Sequence, residues 1–439
     1  MKKVMVWFRN DLRIRDNEAL HKACISGNQI VPVYVLDERL FLNTKLGFRR
    51  AGGLRLQFLL ESLSNLKTHL QNCGADLIVR RGSSVKVIPE LAQELKVDLV
   101  HYSKEVAYEE LADVEQVERQ LLGRGVVLNG FWQSTLFHED DVPWPVKQVP
   151  DVFTHFRKES EKTVEVHSEF DAPQKINYTE EIDPGKIPSL DELAVANEQR
   201  SEKAVLDFKG GETFAWERLN DYFWKDDLLK RYKYTRNDLI GKDFSSKFSP
   251  WLALGCISAK SIYYEIKRYE KERTKNSSTY WLFFELLWRD FFKFMTKKHG
   301  KSIFLKEGIT GEEIEMKNDF QVFDSWCNGT TGEPFVDANM IELQETGYMS
   351  NRGRQNVASY LIHDLGVNWT WGAMWFENRL IDYDPSSNWL NWAYIAGVGN
   401  DPQKGRKFSI ENQSMKYDPK GNYVELWLKD NNYSSLVSR

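Results

Sequence analysis

Residues 4–8, VMVWF, and residues 31–37, VPVYVLD, are short runs rich in β-branched residues with a stretch of helical composition between them. The same alternation continues through DLIVR (76–80), DLVHY (98–102) and VVLNGF (126–131). Apolar runs of this length, separated by helical segments, predict a parallel sheet with helical crossovers, an α/β domain of Rossmann-like kind over residues 1–135. Neither GxGxxG nor GxxxxGK[ST] accompanies it, so the usual dinucleotide and P-loop fingerprints are missing. Gly82-Ser83-Ser84, directly after DLIVR, reads as a helix cap or as a helix start facing an anion.

Downstream the composition changes twice. Pro143, Pro145, Pro150, Pro173, Pro184 and Pro188 are six of the 13 prolines and lie among acidic residues, which predicts a linker over 136–204 that wraps the surface. From 205 to 439 the chain turns helical and aromatic, with STYWLFFELLWRDFFKFMTKKHG as its clearest helix, followed by NRGRQNVASYLIHDLG and WGAMWFENRLI. No internal repeat is visible, and an all-α second domain is expected.

Bulk properties narrow the function classes. At roughly 150 residues per domain, 439 residues with 41% hydrophobic content make two or three domains. No run of about eighteen apolar residues occurs and MKKVMVWFRN enters a strand pattern at once, so a cytoplasmic protein is expected. Cys24, Cys73, Cys256 and Cys327 are scattered without a CxxC, which argues against a disulfide frame and against a bound metal. The net charge of −5 is unevenly spread. Residues 101–200 carry 10 Lys+Arg against 21 Asp+Glu, a local −11, and the remainder of the chain is +6, which leaves room for a nucleic-acid surface.

Four segments hold residues suited to chemistry. Glu285 lies four residues after Trp281 and three before Trp288, which puts all three on one helix face. It reads either as an i,i+4 partner of Arg289 or as a desolvated carboxyl with a raised pKa that meets a planar heterocycle over Trp288. Asn351, Arg352, Arg354 and Gln355 crowd the first turn of a helix capped by Ser350, where two arginines oppose the dipole and call for an anionic partner, a carboxylate or a phosphate. Asp382 and Asp384 precede Pro385 in what can be an Asx-type turn, with Asn388 just beyond. Ser245, Ser246, Lys247 and Ser249 precede an apolar helix, where hydroxyls serve as caps or cradle a diphosphate.

Taken together, ELLWRDF, VDANM, SNRGRQNVAS, LIDYD and NWAYIAGVGNDP, in that order, resemble the photolyase/cryptochrome family, and SNRGRQNVAS and AGVGNDP resemble its cryptochrome DASH branch. The resemblance runs from VWFRNDLRIRDNEAL to YVELWL and implies an antenna domain followed by a helical domain that binds FAD in a U-shape. It implies Tyr232 and Ser245, Ser246, Lys247, Phe248 and Ser249 on the FAD phosphates, and Arg354, Asp382 and Asp384 around the flavin. Asn388 is implied opposite flavin N5. Glu285 and Trp288 correspond to the substrate carboxyl and stacking indole, and Asn351, Gln355 and Tyr394 to the rest of the substrate pocket. The implied reaction is blue-light repair of cyclobutane pyrimidine dimers in DNA, mainly single-stranded or looped out, by a monomer. A light-signalling cryptochrome is the alternative; the short segment after AGVGNDP favours an enzyme. Repair of (6-4) photoproducts is disfavoured, because that branch has a histidine pair where Asn351 and Gln355 stand.

The resemblance also explains the tryptophans crowded into residues 367–400. Trp392 and Trp369 correspond to the proximal and middle members of an electron relay to the flavin, whereas Trp371, Trp375 and Trp389 read as core. The surface member of the relay corresponds to Met316, a thioether that is hard to oxidise, so the relay is expected to be truncated. Glu109 corresponds to the carboxylate that holds an antenna folate, 5,10-methenyltetrahydrofolate, although its setting beside Glu110 also suits a solvated face.

Overall fold

In a computed structural model describing residues 2–25, 28–178, 182–400 and 405–429, the five apolar runs form β1 (Lys3–Phe8), β2 (Gln29–Asp37), β3 (Ile78–Gly82), β4 (Leu99–Ser103) and β5 (Val127–Phe131). They pair in parallel in the order β3-β2-β1-β4-β5. Both faces are covered, which is why these strands read as continuous apolar runs. Val4, Val6 and Phe8 pack with the Gly53–Asn72 helix and on into the helical part of the chain, while Met5 and Trp7 pack with Ile88, Leu91, Val117 and Leu121 from the helices Ser84–Glu94 and Tyr108–Leu122. The connections run outward from β1 through β2 to β3 and then cross back to β4. This makes a topological switch point beside β1, where α/β sheets bind ligands at the carboxyl ends of their strands.

Beyond β5 no further β-strand occurs among the described residues, only helices and isolated bridges. The segment expected to be a linker carries the helix Phe153–Thr163, whose Phe153 and Phe156 bury their rings against Phe291 and Phe294. The principal helix, Ser277–His299, begins one residue earlier than Ser278: Asn276 is the cap and accepts from the N–H groups of Ser278 and Thr279. NRGRQNVASYLIHDLG is not one regular helix, since Asn351–Ser359 passes into a π-helical turn, Tyr360–Asp364. The helices Trp369–Arg379 and Pro385–Ala396 follow, and the second ends on Gly397 at φ +83°, a left-handed cap that suits glycine. Between these two helices, a Cβ on Gly372 would lie 2.2 Å from Cη2 of Trp392, so glycine there lets the indole rest directly on the opposing helix backbone. No described helix is long and apolar enough to cross a membrane.

Candidate functional site

A cavity of about 220 Å³ opens among the helical elements, and Ser249, Asn351, Arg354, Gln355, Asp382, Asp384, Asn388, Trp392 and Tyr394 all line it. Two helix starts bring most of them together. Ser350 caps the first by accepting from Gly353 N–H at 3.0 Å, and Asp384 caps the second by accepting from Ser387 N–H at 2.7 Å. Arg354 Nη2 donates to Asp382 Oδ2 at 2.8 Å, and Ser249 Oγ donates to the same oxygen at 2.6 Å. Asp382 Oδ1 is buried and has no hydrogen-bond partner, a costly arrangement for a carboxylate unless a ligand supplies a donor. Thus one of the two arginines at this helix start has its anion. The other, Arg352, instead donates to Gln355 Oε1 at 2.8 Å and lies 4.7 Å over the Tyr417 ring.

Asp384 is committed elsewhere. Its Oδ2 meets Lys293 Nζ at 2.8 Å, and although burial pushes its pKa up, Lys293 and Arg289 bring it down to about 2. Asn388 Nδ2 donates to the Ala373 carbonyl at 3.0 Å, which fixes the orientation of its amide. Tyr394 has the Arg406 guanidinium 5.0 Å over its ring.

The loop of Ser245, Ser246, Lys247 and Phe248 is held from beneath by Arg218, which donates to the carbonyls of Lys242, Ser245 and Ser246 at 2.9–3.0 Å. Lys247 adopts a left-handed φ of +57°, and its buried ammonium donates to the Lys242 carbonyl at 3.0 Å. Burial pushes its pKa well down, with the nearby Arg218 adding to the effect. Phe248 and Tyr232 are buried in the adjoining core.

Glu285 does not pair with Arg289, whose guanidinium goes to the carbonyls of Ser134 and Leu252. Its partners are Arg236, at 2.5 Å, and the Trp281 indole N–H, at 3.1 Å. Burial raises its pKa in spite of Arg236. Trp288 carries the Phe153 ring stacked on it at 3.7 Å and 15°, so the helix inside the linker occupies one indole face. Neither Glu285 nor Trp288 is among the residues lining the 220 Å³ cavity.

A second cavity, about 800 Å³, lies between the carboxyl edge of the sheet and the helical domain, at the switch point. Glu109 lines it and is paired with Arg50 at 2.6 Å, and Arg50 also bonds Glu377. Glu110 also lines it, but its carboxylate turns back to accept from Ala107 N–H at 3.1 Å, and burial next to Glu105 raises its pKa. Lys293 bridges Glu105, at 3.3 Å, and Asp384, so a buried ionic link joins the α/β domain to the wall of the smaller cavity. Sequence reasoning missed Arg50, Arg236, Lys293, Phe153 and Tyr383. Of these, only Lys293 carried a local signal, a lone cation in the aromatic run DFFKFM.

The tryptophans divide into two groups. Trp392 makes edge contacts with Phe376, at 5.1 Å, and with Trp326, at 6.0 Å. Trp369, fully buried, contacts Trp389 at 5.8 Å and 73°, and Trp389 reaches the wall of the second cavity.

Comparison with known proteins agrees with this architecture. Residues 4–174 match the family described as DNA photolyase, and residues 281–433 match the FAD binding domain of DNA photolyase. A Cryptochrome DASH of Gloeobacter violaceus is 49% identical over 429 residues, covering 98% of this chain and 86% of that one. The crystal structure of a Synechocystis sp. PCC6803 cryptochrome superposes with a TM-score of 0.94 at 47% identity, covering 97% of this chain and 88% of that one. An archaeal photolyase from Sulfolobus tokodaii, described with two FAD molecules and a novel light-harvesting cofactor, gives 0.79 at 26% identity, with coverage of 99% and 93%.

Proposed function

Because the chain belongs to the cryptochrome DASH branch of the photolyase family, we propose that it is a blue-light flavoenzyme, a cytoplasmic monomer that repairs cyclobutane pyrimidine dimers in DNA, mainly in single-stranded or looped-out stretches. The observation that carries this reading is the unpartnered buried Oδ1 of Asp382 beside Arg354, in a cavity also lined by Asn388 and Trp392. An acceptor left open there suits the N–H edge of an isoalloxazine ring. The residues therefore fit FAD, with Arg354, Asp382 and Asn388 toward the ring and Ser245 to Ser249, with Tyr232, toward the phosphates. Reduced FAD, when bound and excited by light, supplies an electron to the dimer and recovers it, so no net oxidation occurs.

The protein's own residues bind and orient the substrate. Phe153 stacks on one face of Trp288, the opposite face is assigned to a base, and Tyr394 adds a second aromatic surface. Burial raises the pKa of Glu285 against the pull of Arg236, and once Arg236 turns away toward the DNA phosphates and the carboxyl takes a proton, it donates a hydrogen bond to a pyrimidine carbonyl. Asn351 and Gln355 offer amides to the polar edges of the bases. Extruding a dimer costs a few kcal/mol from a duplex and less from a single strand, which gives the strand preference a physical basis. In the larger cavity, Glu109 holds 5,10-methenyltetrahydrofolate as antenna.

The test is a repair assay under blue light on dimer-bearing single and double strands with reduced flavin bound. Light-dependent dimer loss, faster on the single strand, is expected. A fully flavin-loaded protein that repairs neither strand refutes the proposal and leaves light signalling as the remaining role.

A further inference from the structure

Trp389, which reads from sequence as an ordinary core residue, occupies an unusual place. It sits three residues before Trp392 on the Pro385–Ala396 helix, so the two indoles share a helix face. Its ring touches the fully buried Trp369 edge-on at 5.8 Å. On its other side it forms part of the wall of the 800 Å³ cavity, together with Phe304, which it contacts at 5.2 Å. Trp389 Nε1 donates to Tyr383 Oη at 3.2 Å, and Tyr383 lines both cavities. Residues 383–389 are therefore the partition between the smaller cavity and the interdomain space.

Other ways out for an electron hole are poorer. Met316 is half-buried at a loop whose next residue, Lys317, pairs with Val367, so the bridge brings its segment near that of Trp369 in space, but its thioether resists one-electron oxidation. On the far side of Trp392, Trp326 has no exposed surface, and among the described residues its ring contact toward Trp371 is the redox-inert Phe323 ring. A cation over an aromatic ring makes removal of an electron harder. Arg55 lies 4.4 Å over Tyr383 and Arg379 lies 5.6 Å over Trp375, whereas among the described residues no cation is placed over Trp389, Trp369 or Trp392.

We propose that Trp389 is the outermost indole of an electron relay that opens into the interdomain cavity, so that electrons enter from the antenna side of the molecule instead of at Met316. This rests on the flavin site proposed above. Trp392 loses one electron toward the oxidised, light-excited flavin, and Trp389 refills it directly or through Trp369. A soluble thiolate in the cavity then refills Trp389. Each electron gained by the flavin is matched by one thiolate oxidised to a thiyl radical, and thiyl radicals pair as disulfide. Filling the cavity screens Trp389 from the reductant, so an antenna molecule throttles the relay as well as feeding light to the site.

Flash photolysis of the oxidised, flavin-loaded protein tests this through the tryptophan-radical absorbance and its decay against added mercaptoethanol. The radical is expected to be long-lived in the unmodified protein, with a decay rate that rises with thiol concentration and falls several-fold once the cavity is filled with methenyltetrahydrofolate. Trp389→Phe should shorten the radical's lifetime several-fold at unchanged flavin content; if that variant fails to load flavin, Trp389→Leu, which also cannot be oxidised by one electron, takes its place. A lifetime and thiol response unaltered in the Trp389 variants, or lost in Trp326→Phe instead, overturns the proposal. Trp392→Phe separates the two layers of the argument: it should abolish the radical, and a radical that survives it refutes the flavin placement itself.

Discussion

Asp382 carries more of the site than any other single residue. One of its oxygens is saturated by Arg354 and Ser249, and the other is buried with nothing to accept from. Removing one member of a buried ion pair typically costs about 3–5 kcal/mol, because the remaining charge is stranded. Asp382→Ala should therefore lose FAD on purification, seen as absent flavin absorbance, while Asp382→Asn keeps part of it. Glu285 and Trp288 belong to the opposite class, since neither borders the cavity that holds Asp382. Glu285→Gln and Trp288→Ala are expected to retain flavin and to lower dimer repair several-fold; co-purification of these variants without flavin would show that their roles have been misassigned.

At the scale of elements, one glycine decides how two helices meet. Alanine is favoured over glycine inside a helix by roughly 1 kcal/mol. At Gly372, however, the added methyl would press into the rigid Trp392 ring and into Leu361, and overpacking of this kind costs about 1–3 kcal/mol. The clash should win. Gly372→Ala is expected to lower the denaturation midpoint and to displace Trp392, read out as altered near-ultraviolet circular dichroism of the flavin-loaded protein. The linker helix teaches a related lesson: its acidic, proline-flanked surroundings suggested a surface wrap, yet Phe153 and Phe156 bind it to the principal helix and place one of them on Trp288.

Across the whole molecule, the two domains are joined by charge as well as by apolar packing. Glu109 and Glu110 are neighbours in different surroundings. Glu109 faces the interdomain cavity from a half-exposed pair with Arg50, and Glu110 is turned inward to Ala107. Absorbance of bound methenyltetrahydrofolate should be lost in Glu109→Ala and kept in Glu110→Ala, which should instead show a lower melting temperature; equal folate loss in both would contradict this division. Glu342, beneath the last described helix, is bonded by Tyr423 Oη at 2.6 Å, and burial pushes its pKa up to about 8. Because its folded value exceeds the unfolded one, its contribution is fully present below the unfolded carboxyl range and is lost as pH rises through about 8. Stability should thus fall by up to roughly 1.4 kcal/mol per pH unit across that window, a slope that Glu342→Gln removes. Parallel denaturation curves for the two proteins from pH 5 to 8 would show otherwise.

The parallel sheet, the helical second half and several of the polar residues that line the smaller cavity were legible in the sequence, because each depends on local pattern: apolar runs of strand length, helix starts crowded with polar side chains, and motifs in a fixed order; Tyr348, Tyr383 and Phe408, which line it too, were not. Ser350 as a cap and Arg354 with an anionic partner follow from the needs of a helix terminus alone. What the chain's order did not disclose were pairings between residues far apart in it. Arg236 took Glu285 from its helical neighbour Arg289 because the helix face turns toward another element, and no i,i+4 rule can anticipate that. Lys293 reaches Asp384 only when its helix packs on the Pro385–Ala396 helix and reaches Glu105 only once the two domains dock, and the same docking creates the interdomain cavity and turns Trp389 from filler into its wall. Local propensity selects elements one at a time, whereas burial and charge compensation act on whichever surfaces the finished fold brings together, and this is why the elements and their termini were readable in advance and the connections between them were not.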